Sequence, residues 1–174
     1  MRITYRNINN KDYWYNRWED IPADEPMVNT NAYPLKYSEM VIKNSDGPIL
    51  EAGCGNGRIL RYYHDRKYEI TGFDFIEVAI DKLKEADSTL RIEVGDIRKL
   101  RFKNESFKYL LAFGLYHNLN NGLEDAISET YRILQNDGLV CASFRSDNIQ
   151  TRLTDWLINR RTSKTVSDES LVFP

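Results

Sequence analysis

From Pro48 onward, short apolar runs alternate with stretches whose apolar residues recur every three or four positions. Ile49–Ala52 reads as a strand with an acid inside it, and the glycine-rich loop 53–57 follows. Ile59, Leu60 and Tyr63 then mark a helix over Arg58–Asp65. Residues 68–73 form a second strand closed by Asp74, and Ile76, Ile80, Leu83 and Ala86 define one face of a second helix. A third strand at 90–94 ends in Gly95-Asp96. The run 107–113 is almost continuously apolar, as expected for a strand covered by helices on both faces. Leu123, Ile127, Tyr131 and Leu134 predict the buried face of the next helix, and Asn136-Asp137-Gly138 the turn that ends it. A fifth strand at 139–144 and a helix from Asp147 to about Arg160 complete the pattern. Repeated strand–helix units predict an α/β fold: a Rossmann-like three-layer sandwich with a mostly parallel sheet and right-handed crossovers.

The chain before Pro48 differs. Tyr13, Trp14, Tyr15 and Trp18 crowd into one short helical stretch. A loop with Pro22 and Pro26 follows, and Pro34 suits the first turn of a helix reaching about Lys43. Ligands of open α/β sheets bind beyond the carboxyl ends of the strands. Residues 1–45 are therefore expected to form a helical lid segment over a domain spanning 46–174, with the aromatic cluster pinning the first helix or covering a flat or cationic substrate.

Composition narrows the setting. At 174 residues the chain fits one domain, and 41% hydrophobic residues suffice for a core. A net charge of -2 gives no reason to expect a nucleic-acid or membrane partner. Arg160, Arg161 and Lys164 form the one basic concentration, read as a solvated helix end. Two cysteines, Cys54 and Cys141, predict neither a disulfide framework nor a zinc site, and no metal-ligand cluster is visible. No signal-peptide pattern and no apolar run near the roughly 20 residues of a membrane span occur, so a cytoplasmic location is expected.

The loop Glu51-Ala52-Gly53-Cys54-Gly55-Asn56-Gly57 carries the chemistry. Glycines where a strand gives way to a helix permit a tight turn and close approach of a ligand to the backbone. A dinucleotide site would require Gly-x-Gly-x-x-Gly. Counting from Gly53 puts Arg58 at the third glycine, and counting from Gly55 puts Leu60 there. Glu51 would repel a pyrophosphate but not a ligand bearing an ammonium and a sulfonium. Asp74 is placed for ribose hydroxyls, a feature that NAD enzymes share. Asp96 is placed for an adenine amino group, with Phe75, Ile76 and Ile97 as apolar neighbours.

These segments together resemble the class I S-adenosylmethionine-dependent methyltransferases, particularly those acting on small molecules. The resemblance covers roughly residues 48–144. Residues 49–58 look like the family's first motif, Gly72-Phe73-Asp74 its ribose segment, and Gly95-Asp96-Ile97 its adenine segment. Ser106-Phe107 and the run from Tyr131 to Gly138 complete the order. The resemblance implies S-adenosylmethionine as cofactor. Glu51 and the backbone of Gly53, Cys54, Gly55, Asn56 and Gly57 would hold the methionine part, Asp74 and Phe75 the ribose side, and Asp96 and Ile97 the adenine. Phe113 and Gly114 would line the methionine side. Tyr116 and His117, beyond the fourth strand, are the catalytic candidates, with His117 suited to general-base work near neutral pH. A small-molecule methyl acceptor is expected. A non-catalytic cofactor-binding protein and an NAD-type domain remain the alternatives.

Three departures stand out. Lys108 replaces an acid, and Asn136-Asp137 replaces the usual Pro-Gly approach to the turn. The terminal hairpin that completes a seven-stranded sheet is missing from the pattern, which leaves five strands. The fifth would then be a bare apolar edge, the kind of edge that pairs with another chain. A homodimer through that edge or a truncated chain is the expectation.

Overall fold

The computed structural model describes residues 10–23, 25–42, 46–146, 148–150 and 152–153. Its strands are β1 (Ile49–Ala52), β2 (Ile70–Asp74), β3 (Ile92–Val94), β4 (Phe107–Ala112) and β5 (Leu134–Ala142). Its helices are α1 (Asn10–Asp20), α2 (Leu35–Val41), α3 (Arg58–Asp65), α4 (Glu77–Ala86) and α5 (Leu123–Ile133). All strand pairs are parallel, in the order β3-β2-β1-β4-β5.

Alternation along the strands separates two apolar layers. Ile49, Ile70, Tyr109 and Leu111 pack with Leu35 of α2, Ile59, Leu60 and Tyr63 of α3, and Ile80 and Leu83 of α4. Leu50, Ala52, Phe73, Leu110 and Ala112 pack with Ala126 and Ile133 of α5. Both faces are thus covered, which accounts for the nearly continuous apolar run of β4, broken only at Lys108. The expected Rossmann-like architecture is the one observed.

Two local expectations need correction. The buried face of α5 is Ala126, Thr130 and Ile133, whereas Ile127 is 48% and Tyr131 84% exposed. Ala126 is small enough to bring the helix onto the sheet. The Thr130 hydroxyl is satisfied there by the Ala126 carbonyl (2.8 Å) and the Tyr116 hydroxyl (2.7 Å). Hydrogen-bond satisfaction and close approach selected this face over the more apolar one. The second correction concerns β5, which starts at Leu134 directly from the helix. Leu134 pairs with Phe107 and Leu139 with Tyr109, so the turn at Asn136-Asp137-Gly138 bulges out within the ladder.

Lys108 and Asp137, two of the departures noted in the sequence, form an ion pair with each other. Lys108 is therefore stabilised by the same bulge that replaces the usual turn. Among the described residues β5 is one edge of the sheet and β3 the other; on β5, Leu139 is 49% and Val140 44% exposed. Most of the helix expected at 147–160, the basic cluster Arg160, Arg161 and Lys164, and the tail 165–174 lie outside the described residues. No helix among the described residues is long and apolar enough to cross a membrane.

Candidate functional site

β1 hydrogen-bonds β2 on one side and β4 on the other, so the loops leaving β1 and β4 diverge around a crevice at the carboxyl end of the sheet. The glycine loop forms one wall. Its start is fixed by the Gly53 and Cys54 N–H groups, both donating to the Phe73 carbonyl (2.9 and 3.0 Å), and the Gly57 N–H donates to the Cys54 carbonyl (2.8 Å). Gly55 is required by its left-handed backbone (φ 49°) and by the Trp18 indole, 2.8 Å from where a Cβ would stand. Leu115, from the loop after β4, lies against Gly53 from the opposite wall.

Glu51 lies beneath this loop, 6% exposed. Its Oε2 has no hydrogen-bond partner. Burial, reinforced by the nearby Asp74, pushes its pKa from 4.5 to about 8, against the opposing influence of the Leu60 backbone N–H and Arg58. An unpartnered buried carboxyl is expensive unless a cation or a donor completes it.

Asp74, 5% exposed, already accepts the Gly55 N–H at Oδ2 (2.8 Å) and the Ile76 N–H at Oδ1 (3.0 Å). Burial raises its pKa, and these backbone donors partly oppose the rise. Asp74 therefore fastens the loop. Cys54 is a buried thiol whose pKa is driven up by the same burial, so it packs in the core as an un-ionised group. The Asn56 amide donates to the Pro22 carbonyl (2.7 Å), tying the segment after α1 to the loop.

The adenine-side candidates have partners of their own. Asp96 is gripped through both oxygens by the Arg98 guanidinium (2.6–3.1 Å), which holds its pKa down. Arg98 also reaches Asn121, ahead of α5. Phe75 is half-buried, and Ile97 is buried in the α5-side core.

At the end of β4, Phe113 and Gly114 are half-buried. Tyr116 turns inward: it is 3% exposed and its hydroxyl is spent on Thr130. That burial removes Tyr116 from the crevice and makes it a core residue. His117 stays exposed, with Nδ1 3.2 Å from the Ser143 carbonyl. A carbonyl only accepts, so in the neutral ring Nδ1 carries the proton and Nε2 the lone pair. The Ser143 hydroxyl accepts the Gly114 N–H (2.9 Å) and the Tyr33 hydroxyl (2.9 Å). Tyr33 meets Phe113 and Tyr37 edge-on, at 5.9 and 6.2 Å between ring centres. Ser143 and Tyr33 were not among the candidate residues. They lie 110 positions apart, and no local spacing announces their contact. Among the described residues no group of three His, Cys, Asp or Glu side chains is placed to hold a metal.

Residues 49–138 match the family described as Methyltransferase domain, more than half of the chain. This chain belongs to that methyltransferase family. A malonyl-[acyl-carrier protein] O-methyltransferase of Salmonella typhimurium is 30% identical over 92 residues, covering 53% of this chain and 36% of that relative. The chain therefore spans little more than a third of that relative's length. Among solved structures, the PH0226 protein of Pyrococcus horikoshii superposes with a TM-score of 0.61 at 22% identity, over 83% of this chain and 71% of that one. A SAM-dependent methyltransferase of Methanosarcina mazei gives 0.62 at 20% identity, over 76% and 68%. These two likenesses concern the fold. S-adenosylmethionine is the cofactor that membership of this methyltransferase family implies for the domain. Two features fit it: an orphaned acid under a glycine cradle suits a ligand with a positive end, and a strand-end carboxylate suits a ribose.

Proposed function

We propose that this chain transfers the methyl group of S-adenosylmethionine to a small-molecule acceptor held at the carboxyl ends of β4 and β5. The observation that carries the reading is Glu51, a buried carboxyl with one oxygen unpartnered directly below the glycine loop. When bound, the cofactor supplies a methyl group activated by its own sulfonium leaving group.

The residues of the chain divide the remaining work. Glu51 and the backbone of 53–57 hold the methionine part. Asp74 holds the ribose without releasing the loop. Asp96, shared with Arg98, and the backbone of Ile97 meet the adenine, with Phe75 beside it. Phe113 and Gly114 line the methionine side. His117 takes the acceptor proton at Nε2, its ring oriented by the Ser143 carbonyl. Tyr33, locked through Ser143 onto Gly114, forms the acceptor-side wall, and the N-terminal segment serves as a lid.

Calorimetry with S-adenosylmethionine, S-adenosylhomocysteine and NAD tests the reading. The expected result is micromolar binding of both adenosyl compounds and none of NAD. Absence of binding by either adenosyl compound rejects it. A methyl-transfer screen against metabolite mixtures then tests catalysis and the size of the acceptor.

A further inference from the structure

The aromatic stack of α1 is joined to the sheet domain at the glycine loop. Trp14 and Trp18 stack 5.7 Å apart at 22°, and Tyr13 meets Trp14 edge-on at 5.1 Å. The Trp18 indole then lies on Gly55: a Cβ there would be 2.8 Å from Cζ2 and 3.2 Å from Cη2. Any side chain at position 55 would displace this ring.

The placement of the indole is reinforced from below. Lys82, on α4, donates from Nζ to the carbonyls of Trp18 (2.8 Å), Glu19 (2.5 Å) and Ile21 (3.1 Å). These are carbonyls at and just past the C-terminal end of α1, where a helix lacks internal donors and favours positive charge. The Asn56 amide holds Pro22, and the Met27 N–H donates to the Arg58 carbonyl (3.1 Å). Three ties from α4, the glycine loop and the start of α3 thus fix the end of α1 against one loop. A helix needing only an apolar anchor would seat its indole among aliphatic side chains. This indole stacks on Trp14, carries the Arg17 guanidinium 5.8 Å from its ring centre, and sets its benzenoid edge on the bare backbone of Gly55, in the loop built for close approach of a ligand, with the residue half-exposed.

We infer that Trp18 is a cofactor-site residue, the outer wall of the methionine subsite, and that Lys82 is the positioning residue that holds it there. The inference rests on the cofactor reading above. An indole favours a cationic ligand over a neutral one of the same shape. Trp18 is therefore expected to favour S-adenosylmethionine, with its sulfonium, over the neutral thioether of S-adenosylhomocysteine.

The test uses the full chain and both compounds. In a protein keeping Trp18 as its sole tryptophan (Trp14→Phe, Trp156→Phe), titration with S-adenosylhomocysteine should change the indole emission. By calorimetry, Trp18→Ala should weaken S-adenosylmethionine about three- to tenfold more than S-adenosylhomocysteine, while Trp18→Phe restores most of the preference. Lys82→Met should weaken both compounds a few-fold and red-shift the Trp18 emission of the unliganded protein. Silent emission on saturation, or equal losses for the two compounds in Trp18→Ala, overturns the assignment of Trp18. Unchanged affinity and emission in Lys82→Met overturns the role of Lys82. Failure of the unsubstituted chain to bind either compound overturns the cofactor reading itself, a result distinct from the others.

Discussion

The carboxyl ends of β1–β2 and of β4–β5 solve opposite problems within one sheet. At the first, Glu51 and Asp74 are 6% and 5% exposed, burial raises both pKa values, and the loop above them is tied down by backbone hydrogen bonds. At the second, Tyr33 and Phe144 are 57% and 54% exposed, and the contacts are neutral hydrogen bonds through Ser143. An unpartnered buried carboxyl oxygen such as Glu51 Oε2 is tolerated where a ligand of fixed chemistry completes it. An open aromatic surface suits a ligand chosen by shape rather than by fixed charge. On the proposed reading, methyl donation belongs to the first end and acceptor choice to the second.

The sharpest way to break this contrast is Glu51→Gln. The folded pKa of Glu51, about 8, lies above its ordinary 4.5, so the folded state binds the proton more tightly than the unfolded one. Stability without ligand is therefore highest below about 4.5 and falls as pH rises from there to about 8. The linkage amounts to roughly 3 kcal/mol between pH 5 and pH 8. Glu51→Gln should flatten that slope in denaturant titrations while greatly weakening S-adenosylmethionine binding. In the unsubstituted protein a cationic ligand draws the carboxyl into its charged form. Affinity should then rise from pH 6 to 8, and calorimetry at pH 7 in buffers of different ionisation enthalpy should register proton release. A flat affinity profile would remove Glu51 from the cofactor site.

Asp74→Ala tests the same end at a smaller magnitude. It should weaken S-adenosylhomocysteine by about 1–3 kcal/mol through the lost ribose hydrogen bonds. It should also lower stability by about 1–3 kcal/mol, because the Gly55 and Ile76 N–H groups lose their acceptor. A variant that loses stability but binds normally would make Asp74 a loop fastener alone.

At the other end, His117→Ala should lower turnover at least about 100-fold, the usual effect of removing a general base, with S-adenosylhomocysteine affinity unchanged. Ser143→Ala should cause a smaller loss, because the backbone carbonyl that orients His117 remains while the Tyr33 and Gly114 contacts go. Equal losses of cofactor affinity in these variants would merge the two ends into one site.

How much of this was legible beforehand follows the same division. The succession of strands and helices, the glycine loop and the acids at the strand ends are local patterns, and strands flanked by helices on both faces leave few alternative arrangements. The contacts that complete the site are long-range. Tyr33 to Ser143, Lys82 to the end of α1 and Arg98 to Asn121 join residues whose spacing carries no period. Tyr116 shows the limit from the other direction. Its place beside His117 in the sequence made it a candidate, but in the 3-10 turn at Tyr116–Asn118 the two side chains part, Tyr116 onto Thr130 and His117 onto the Ser143 carbonyl.

α5 offers the smallest effect and a clean separation of pattern from packing. The apolar repeat through Ile127 and Tyr131 is regular, yet the helix buries Ala126, Thr130 and Ile133. Tyr131→Ser, at a side chain 84% exposed, should therefore change stability by no more than about 0.5 kcal/mol. Ile133→Ala, two positions on and fully buried, should cost about 2–5 kcal/mol. Both values come from one urea titration series. A large loss for Tyr131→Ser would mean that something covers the outer face of α5 in solution. In that case the exposed Leu139 and Val140 of β5 would be the next positions to substitute, and light scattering would show whether the cover is a second copy of the chain.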